Sequence, residues 1–277
     1  TEGAIRIDTN PEDYSLTSQW YSAQSGQFSA TRVFGVYEDL LGNEWILSDN
    51  GLGMLTAGQT TPTSYFVDAA EREKKGGQAF YSCLEYNSEI YFGSDNGRVW
   101  CYQKENGQFQ LQNLPASSRI VSINSVEGNE LIFTTAKDGF FSYQPKTKAI
   151  EHFPASRFPN ASIHSVYVDK ASEVWFEQHI PGTVVHFNPR TRILKQEKVP
   201  VEPTSTDRSR PAFHIHEDIN GVLWVHPYGG GFSYFDRKSN SLHPFYNSLS
   251  GSDWRFSNKI HAAFSDRQGD LWMCTDF

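Results

Sequence analysis

One short pattern occurs six times along the chain, and this repetition restricts the fold more than any other feature. The copies read "VYEDLLGNEWILSDNG", "CLEYNSEIYFGSDNG", "NSVEGNELIFTTAKDG", "VYVDKASEVWFEQHIPG", "HEDINGVLWVHPYGGG" and "FSDRQGDLWMCTDF". All but the third place an acid before a polar turn, then an aromatic residue. The acid slot holds Asp39, Glu85, Val126, Asp169, Asp218 and Asp266, and the aromatic slot holds Trp45, Tyr91, Ile132, Trp175, Trp224 and Trp272. The two slots are 6 residues apart in every copy, and successive aromatic slots lie 41 to 49 residues apart. A fixed offset inside varied sequence marks one structural unit used repeatedly.

Each unit continues past its hairpin. "GRVWCYQ", "GFFSYQP", "GTVVHFNP" and "GFSYFDR" alternate towards an aromatic, as half-buried strands do. A polar turn and a fourth short strand follow, as in "QFQLQNL" or "AIEHFP". Four short antiparallel strands in this span make a propeller blade. The expectation is an all-β propeller of about six four-stranded blades in a single domain, with hairpins starting near 33, 79, 120, 163, 212 and 260. The two ends are complementary: "GAIRID" at 3–8 matches a third strand, whereas "WMCTDF" at 272–277 ends on a second. Residues 1–32 are therefore expected to complete the last blade, so that one shared blade closes the ring and removes open edges. A piece cut from a longer seven-bladed or tandem array is the other reading of the same ends.

Composition narrows the function. The net charge of -8 argues against a nucleic-acid surface, which needs a basic stripe. Aromatic residues make up 14% of the chain, which favours sheets. No apolar run reaches the ~20 residues of a membrane helix, so no membrane contact is expected within this chain. Cys83, Cys101 and Cys274 lack metal-ligand spacing and read as buried free thiols. The chain begins without Met or a signal sequence, as a mature or excised piece would.

The acid-x-x-Gly-x-apolar-Trp pattern resembles the two-component regulator propeller repeat, and the resemblance runs from Gly3 to Phe277. "VFGVYEDLLGNEWI", "AFHIHEDINGVLWV" and "IHAAFSDRQGDLWM" carry it most clearly, while the third copy departs from it at Val126 and Ile132. The resemblance implies a periplasmic sensor region of a hybrid two-component system, as in Bacteroidetes. It further implies a glycan-derived oligosaccharide ligand, an adjacent propeller or β-sandwich domain, a homodimer, and a histidine kinase elsewhere in the protein.

The recurring Asp and Trp read as structural, because residues common to every blade hold blades together. Function is expected where copies differ, on loops carried by a rigid scaffold. The links after second strands and between blades hold His179, His226, Tyr228, Arg208, Arg210, Trp254 and Arg255. The starts of the first strands hold Arg32, Arg119, His164, His214 and His261. Aromatic faces beside Arg and His suit a sugar ring, which offers an apolar C–H face and many hydroxyls. The expected ligand-binding set is His179, Arg210, Tyr228, Trp254, Arg255, Arg119 and His226. No nucleophile elbow, zinc-protease, P-loop or dinucleotide motif is present in the sequence. A module without catalytic residues, metal or cofactor is therefore expected. A propeller lyase or glycoside hydrolase, and a protein-interaction scaffold, are the alternatives.

Overall fold

The computed structural model describes residues 32–57, 59, 62–66, 79–159, 162–178, 183–199, 213–227, 233–244, 260–266 and 268–275. The chain divides into two compact units, Thr1–Ile123 and Asn124–Phe277. In the first unit, β1 (Val33–Glu38), β2 (Glu44–Ser48), β3 (Gly51–Leu55) and β4 (Thr63–Tyr65) form one sheet in that order. β5 (Phe80–Tyr86), β6 (Glu89–Ser94), β7 (Arg98–Gln103) and β8 (Gln108–Asn113) form the next. The boundary between the units falls inside β9 (Ile120–Val126), which leads a sheet with β10 (Glu130–Thr135), β11 (Phe140–Gln144) and β12 (Ala149–Phe153).

The second unit continues with β13 (Ile163–Val168), β14 (Val174–Gln178), β15 (Thr183–Asn188) and β16 (Ile193–Lys198). β17 (Phe213–Glu217), β18 (Leu223–Pro227), β19 (Ser233–Asp236) and β20 (Ser241–Pro244) make a further four-stranded sheet, and β21 (Ile260–Ser265) pairs with β22 (Leu271–Thr275). The described residues thus form an all-β succession of five four-stranded sheets and one two-stranded sheet, each in sequence order. That is the strand plan of propeller blades. Among them there is no α-helix, only a single 3-10 turn at Ala155–Arg157. The expected pairing of residues 3–8 with the last hairpin falls outside the described residues.

The repeated acid explains why each hairpin turns where it does. Asp39 Oδ1 accepts from the backbone N–H groups of Leu41 and Asn43, at 2.9 and 3.0 Å. Its Oδ2 accepts from the Trp45 indole at 3.1 Å. Asp169 repeats this with Ala171, Glu173 and Trp175, each at 2.9 Å. Asp218 binds Val222 and Trp224, and Asp266 binds Gln268, Asp270 and Trp272. One carboxylate therefore satisfies turn amides and an indole donor that burial would otherwise leave unpaired.

The second copy departs from the alignment. Trp45, Trp175, Trp224 and Trp272 lie opposite Tyr37, Tyr167, His216 and Phe264, but Tyr91 lies opposite Leu84. Its hairpin is one residue shorter, so Glu85 occupies the position before the acid slot, where the fifth copy has Glu217. The constant offset concealed a deletion. Glu85 accordingly does not latch Tyr91, whose hydroxyl donates to Glu89 at 2.6 Å. It reaches the preceding hairpin instead, accepting from Leu40 N–H at 2.9 Å and Tyr37 Oη at 3.2 Å. Glu217 does the same, accepting from Lys170 N–H at 2.6 Å.

A cation completes each of these sheet-to-sheet joints. Lys104 contacts Glu85 and lies 3.9 Å from Asp39. Arg237 lies 3.1 Å from Asp169 and 3.3 Å from Glu217. Both cations follow the last residue of a third strand, so the repeat delivers them to equivalent places.

Aromatic packing fills the space between neighbouring sheets within each unit. Trp45 is fully buried and meets Phe92 and Tyr102 of the next sheet at 4.9 and 4.8 Å between ring centres. Trp175 is likewise buried and meets Phe235 edge-on at 4.9 Å. The second unit also holds a Phe cluster in which Phe140 stacks on Phe153 at 4.5 Å and on Phe176 at 5.0 Å. The aromatic enrichment therefore supplies large buried area between successive sheets.

Candidate functional site

The turn end of the hairpins offers little to a ligand, because its acids and indoles are committed to one another. A recess there of about 170 Å³, lined by Glu38, Gly42, Glu44, Leu55, Thr56, Ala57 and Gln59, is too small for an oligosaccharide. The opposite end, where first strands begin, is different.

There the pairing of the first strand slips by one residue in four sheets. The register shifts between Val33 and Gly35, Phe80 and Ser82, Ile163 and Ser165, and Ile260 and Ala262. The residues left unpaired are Phe34, Tyr81, His164 and His261. Such bulges re-aim a side chain out of the ladder, and at Phe34 and Tyr81 that side chain is an aromatic ring. β17 has no such shift, and its His214 lies directly opposite His226 of β18.

In the first unit the bulges build a cluster. The Phe34 ring, 40% exposed, tilts against Tyr81 at 4.7 Å between centres. The Arg119 guanidinium, from the residue before β9, sits 5.1 Å from the Tyr81 ring centre. Tyr81 Oη donates to Asp95 Oδ1 at 3.0 Å. Burial, then the Asp95 carboxylate, pushes the Tyr81 phenol above its ordinary pKa, so it stays a neutral donor. The close approach of β9 depends on Gly93, where a Cβ would stand 2.4 Å from Ser82 Oγ and 2.7 Å from Ile120 Cβ. Ser82 Oγ also donates to the Ile120 carbonyl at 3.3 Å. Nearby, Arg32 and Asp49 exchange two hydrogen bonds, through the Asp49 carboxylate at 3.2 Å and the Arg32 carbonyl at 3.1 Å.

The arrangement presents two aromatic rings, one of them exposed, with a guanidinium and a carboxylate at their border. It can stack on an apolar face and hydrogen-bond polar groups around it. It holds no paired carboxylates and no nucleophile–base pair. No group of three or more metal-ligating side chains occurs among the described residues.

Of the residues expected from sequence, Arg119 belongs to this cluster. His226 lies in β18, and His179, Arg210, Tyr228, Trp254 and Arg255 fall outside the described residues. Phe34, Tyr81 and Asp95 were missed. Phe34 and Tyr81 occupy the position held by His164 and His261 in later copies, and that shared position was the available signal.

A second polar group lies inside the second unit. His186 Nδ1 is 3.4 Å from Glu173 and Nε2 is 3.3 Å from Glu197, while the ring stacks on Trp175 at 4.3 Å. The adjacent His186 imidazole holds the Glu173 carboxyl below its usual range despite burial, with help from the Asn188 hydrogen bond. With its side chain 4% exposed, His186 is closed to a substrate. This group belongs to the core.

Comparison with solved structures shows the same fold elsewhere. The extracellular domain of a B. thetaiotaomicron protein ascribed to a hybrid two-component system matches with a TM-score of 0.59 and 16% identity, over 90% of this chain and 33% of that one. This chain thus spans a third of that domain. Virginiamycin B lyase from Staphylococcus aureus matches with a TM-score of 0.60 and 15% identity, over 88% and 78% of the two chains. YCF48, solved with a D1 peptide, matches with a TM-score of 0.58 and 12% identity, over 90% and 77%. At these identities the likeness is one of fold. No protein-family model and no curated protein sequence matches the chain.

Proposed function

We propose that this chain is a ligand-sensing propeller module of an extracytoplasmic two-component receptor, and that it binds a glycan-derived oligosaccharide without turning it over. The observation that carries this reading is the Phe34–Tyr81 ring pair, 4.7 Å apart, bordered by the Arg119 guanidinium. A pyranose needs an aromatic platform and fixed donors, and both are here at the end where first strands begin. The likeness to the extracellular domain of a hybrid two-component protein supports the sensing role. In this reading six blades form a ring whose last blade is completed by residues 3–8, and the module is periplasmic. Arg119 would also favour an acidic sugar.

The experiment is a panel of neutral, uronic and sulfated oligosaccharides, read by thermal shift and then by product analysis. A ligand that binds only the folded chain raises its stability by RT ln(1 + [L]/Kd). Stabilisation with the sugar recovered intact supports the sensor. New reducing ends or unsaturated products would replace it with a hydrolase or lyase, the chemistry named for one fold relative. No shift with any member would reject the glycan reading.

A further inference from the structure

The fourth strands of the sheets leave one edge of each sheet open, and they differ in how that edge is protected. An open edge carries unpaired N–H and C=O groups that can accept another strand, and charges or proline normally prevent this. β4 has three residues and follows Pro62. β12 carries Glu151 and His152, and Glu151 is held by Arg192. β16 carries Lys195, Glu197 and Lys198, and β20 carries His243 and ends on Pro244. β8, "QFQLQN", has neither a charge nor a proline. Gln108, Gln110 and Leu111 are exposed, Leu111 at 38%. Along the chain, the first charged residues on either side of β8 are Glu105 and Arg119.

We propose that β8 is the edge through which two copies of this chain pair, antiparallel and centred on Gln110. The sequence of the strand selects a second copy as its occupant. In that register Gln108 faces Gln112, Phe109 faces Leu111, and Gln110 faces its counterpart. Side chains that meet across antiparallel strands lie on one face, so the apolar residues cover each other. A primary amide both donates and accepts, so the glutamines satisfy each other across the two-fold axis. The chain carries a net charge of -8, which opposes self-association wherever an acidic surface meets itself. Of the described fourth strands with five or more residues, β8 is the one where an antiparallel copy brings no ionised side chains face to face. A symmetric pairing of this kind closes at two copies and leaves no free β8 edge to propagate.

Light scattering on the full chain tests this over a roughly hundredfold range of concentration, since dimer formation follows mass action. The expected result is a concentration-dependent dimer that Gln110→Lys and Leu111→Lys each abolish. Lys placed on either face of an exposed edge strand stays solvated, and circular dichroism confirms that each variant is folded. Ile193→Lys, on the already charged β16 edge where Ile193 is 58% exposed, should leave the dimer unchanged. Amides of β8 should gain protection from hydrogen exchange as concentration rises. A chain that stays monomeric throughout, or a dimer that survives both β8 substitutions, overturns the proposal. So does a dimer that Ile193→Lys weakens as much as they do. None of these readouts depends on a sugar ligand, so failure here is separate from failure of the sensing role.

Discussion

Trp175 donates its indole N–H to Asp169 Oδ2 at 2.9 Å, while Asp169 Oδ1 takes two turn amides and Arg237 stands 3.1 Å from the same carboxylate. Sequence distance hides the logic: four donors from two sheets meet one acid whose side chain is fully buried. Removing the acid leaves them without a common acceptor. Asp169→Ala should therefore cost about 3 kcal/mol, within the range for breaking a buried pair. Trp175→Phe keeps the ring and loses one donor, for about 1–2 kcal/mol. Urea midpoints measure both. Trp272 makes the same bond at 2.8 Å but is 55% exposed, so Trp272→Phe should cost clearly less. Equal losses at Trp175 and Trp272 would contradict the burial argument.

Acid should weaken the second unit through Glu173. Its carboxyl is held below the ordinary value of 4.5, chiefly by the His186 imidazole 3.4 Å away. A depressed carboxyl contributes stability that is present above its unfolded pKa and lost as pH falls through its folded value. Glu173→Gln should accordingly be less stable than the parent at pH 6. The gap should close as pH drops below about 4. Urea unfolding of both proteins across this range is the measurement, and a gap independent of pH would refute it.

Burial pushes the Cys83 thiol up from 9.0 to about 12. The reactive form is the thiolate, so native Cys83 should alkylate on the order of a thousandfold more slowly than in the unfolded chain. Peptide mass spectrometry after timed iodoacetamide treatment reads this site alone. Rapid native labelling would mean that β5 opens readily.

Much of the fold was legible because its determinants are local. An acid that caps its own turn must stand at a set distance from the aromatic it binds, and Asp39, Asp169, Asp218 and Asp266 all keep that distance. The rule failed at Glu85, where a shortened turn moved an acid from one role to another without changing the apparent spacing. Periodicity cannot distinguish those cases, because both place a carboxylate near the turn. The joints made by Lys104 and Arg237 were hidden for another reason: their partners lie in a different sheet. At the candidate site, Arg119 was readable as a cation at a strand start. Phe34 and Tyr81 read as ordinary strand aromatics, since a register shift is a property of two paired strands.

If ligand binds where first strands begin, substitutions there weaken binding and a substitution at the turn end does not. The oligosaccharide giving the largest thermal shift is titrated calorimetrically into the parent chain and into Phe34→Ala, Arg119→Ala and Leu41→Ala. Phe34 and Arg119 are exposed, and Leu41, 67% exposed at the opposite turn end, serves as the control. Loss of a stacking ring or a bordering cation should cost ~1–3 kcal/mol, roughly 5- to 150-fold in Kd. Leu41→Ala should bind as the parent does. Unchanged affinity in Phe34→Ala and Arg119→Ala, or an equal loss in Leu41→Ala, would contradict the account.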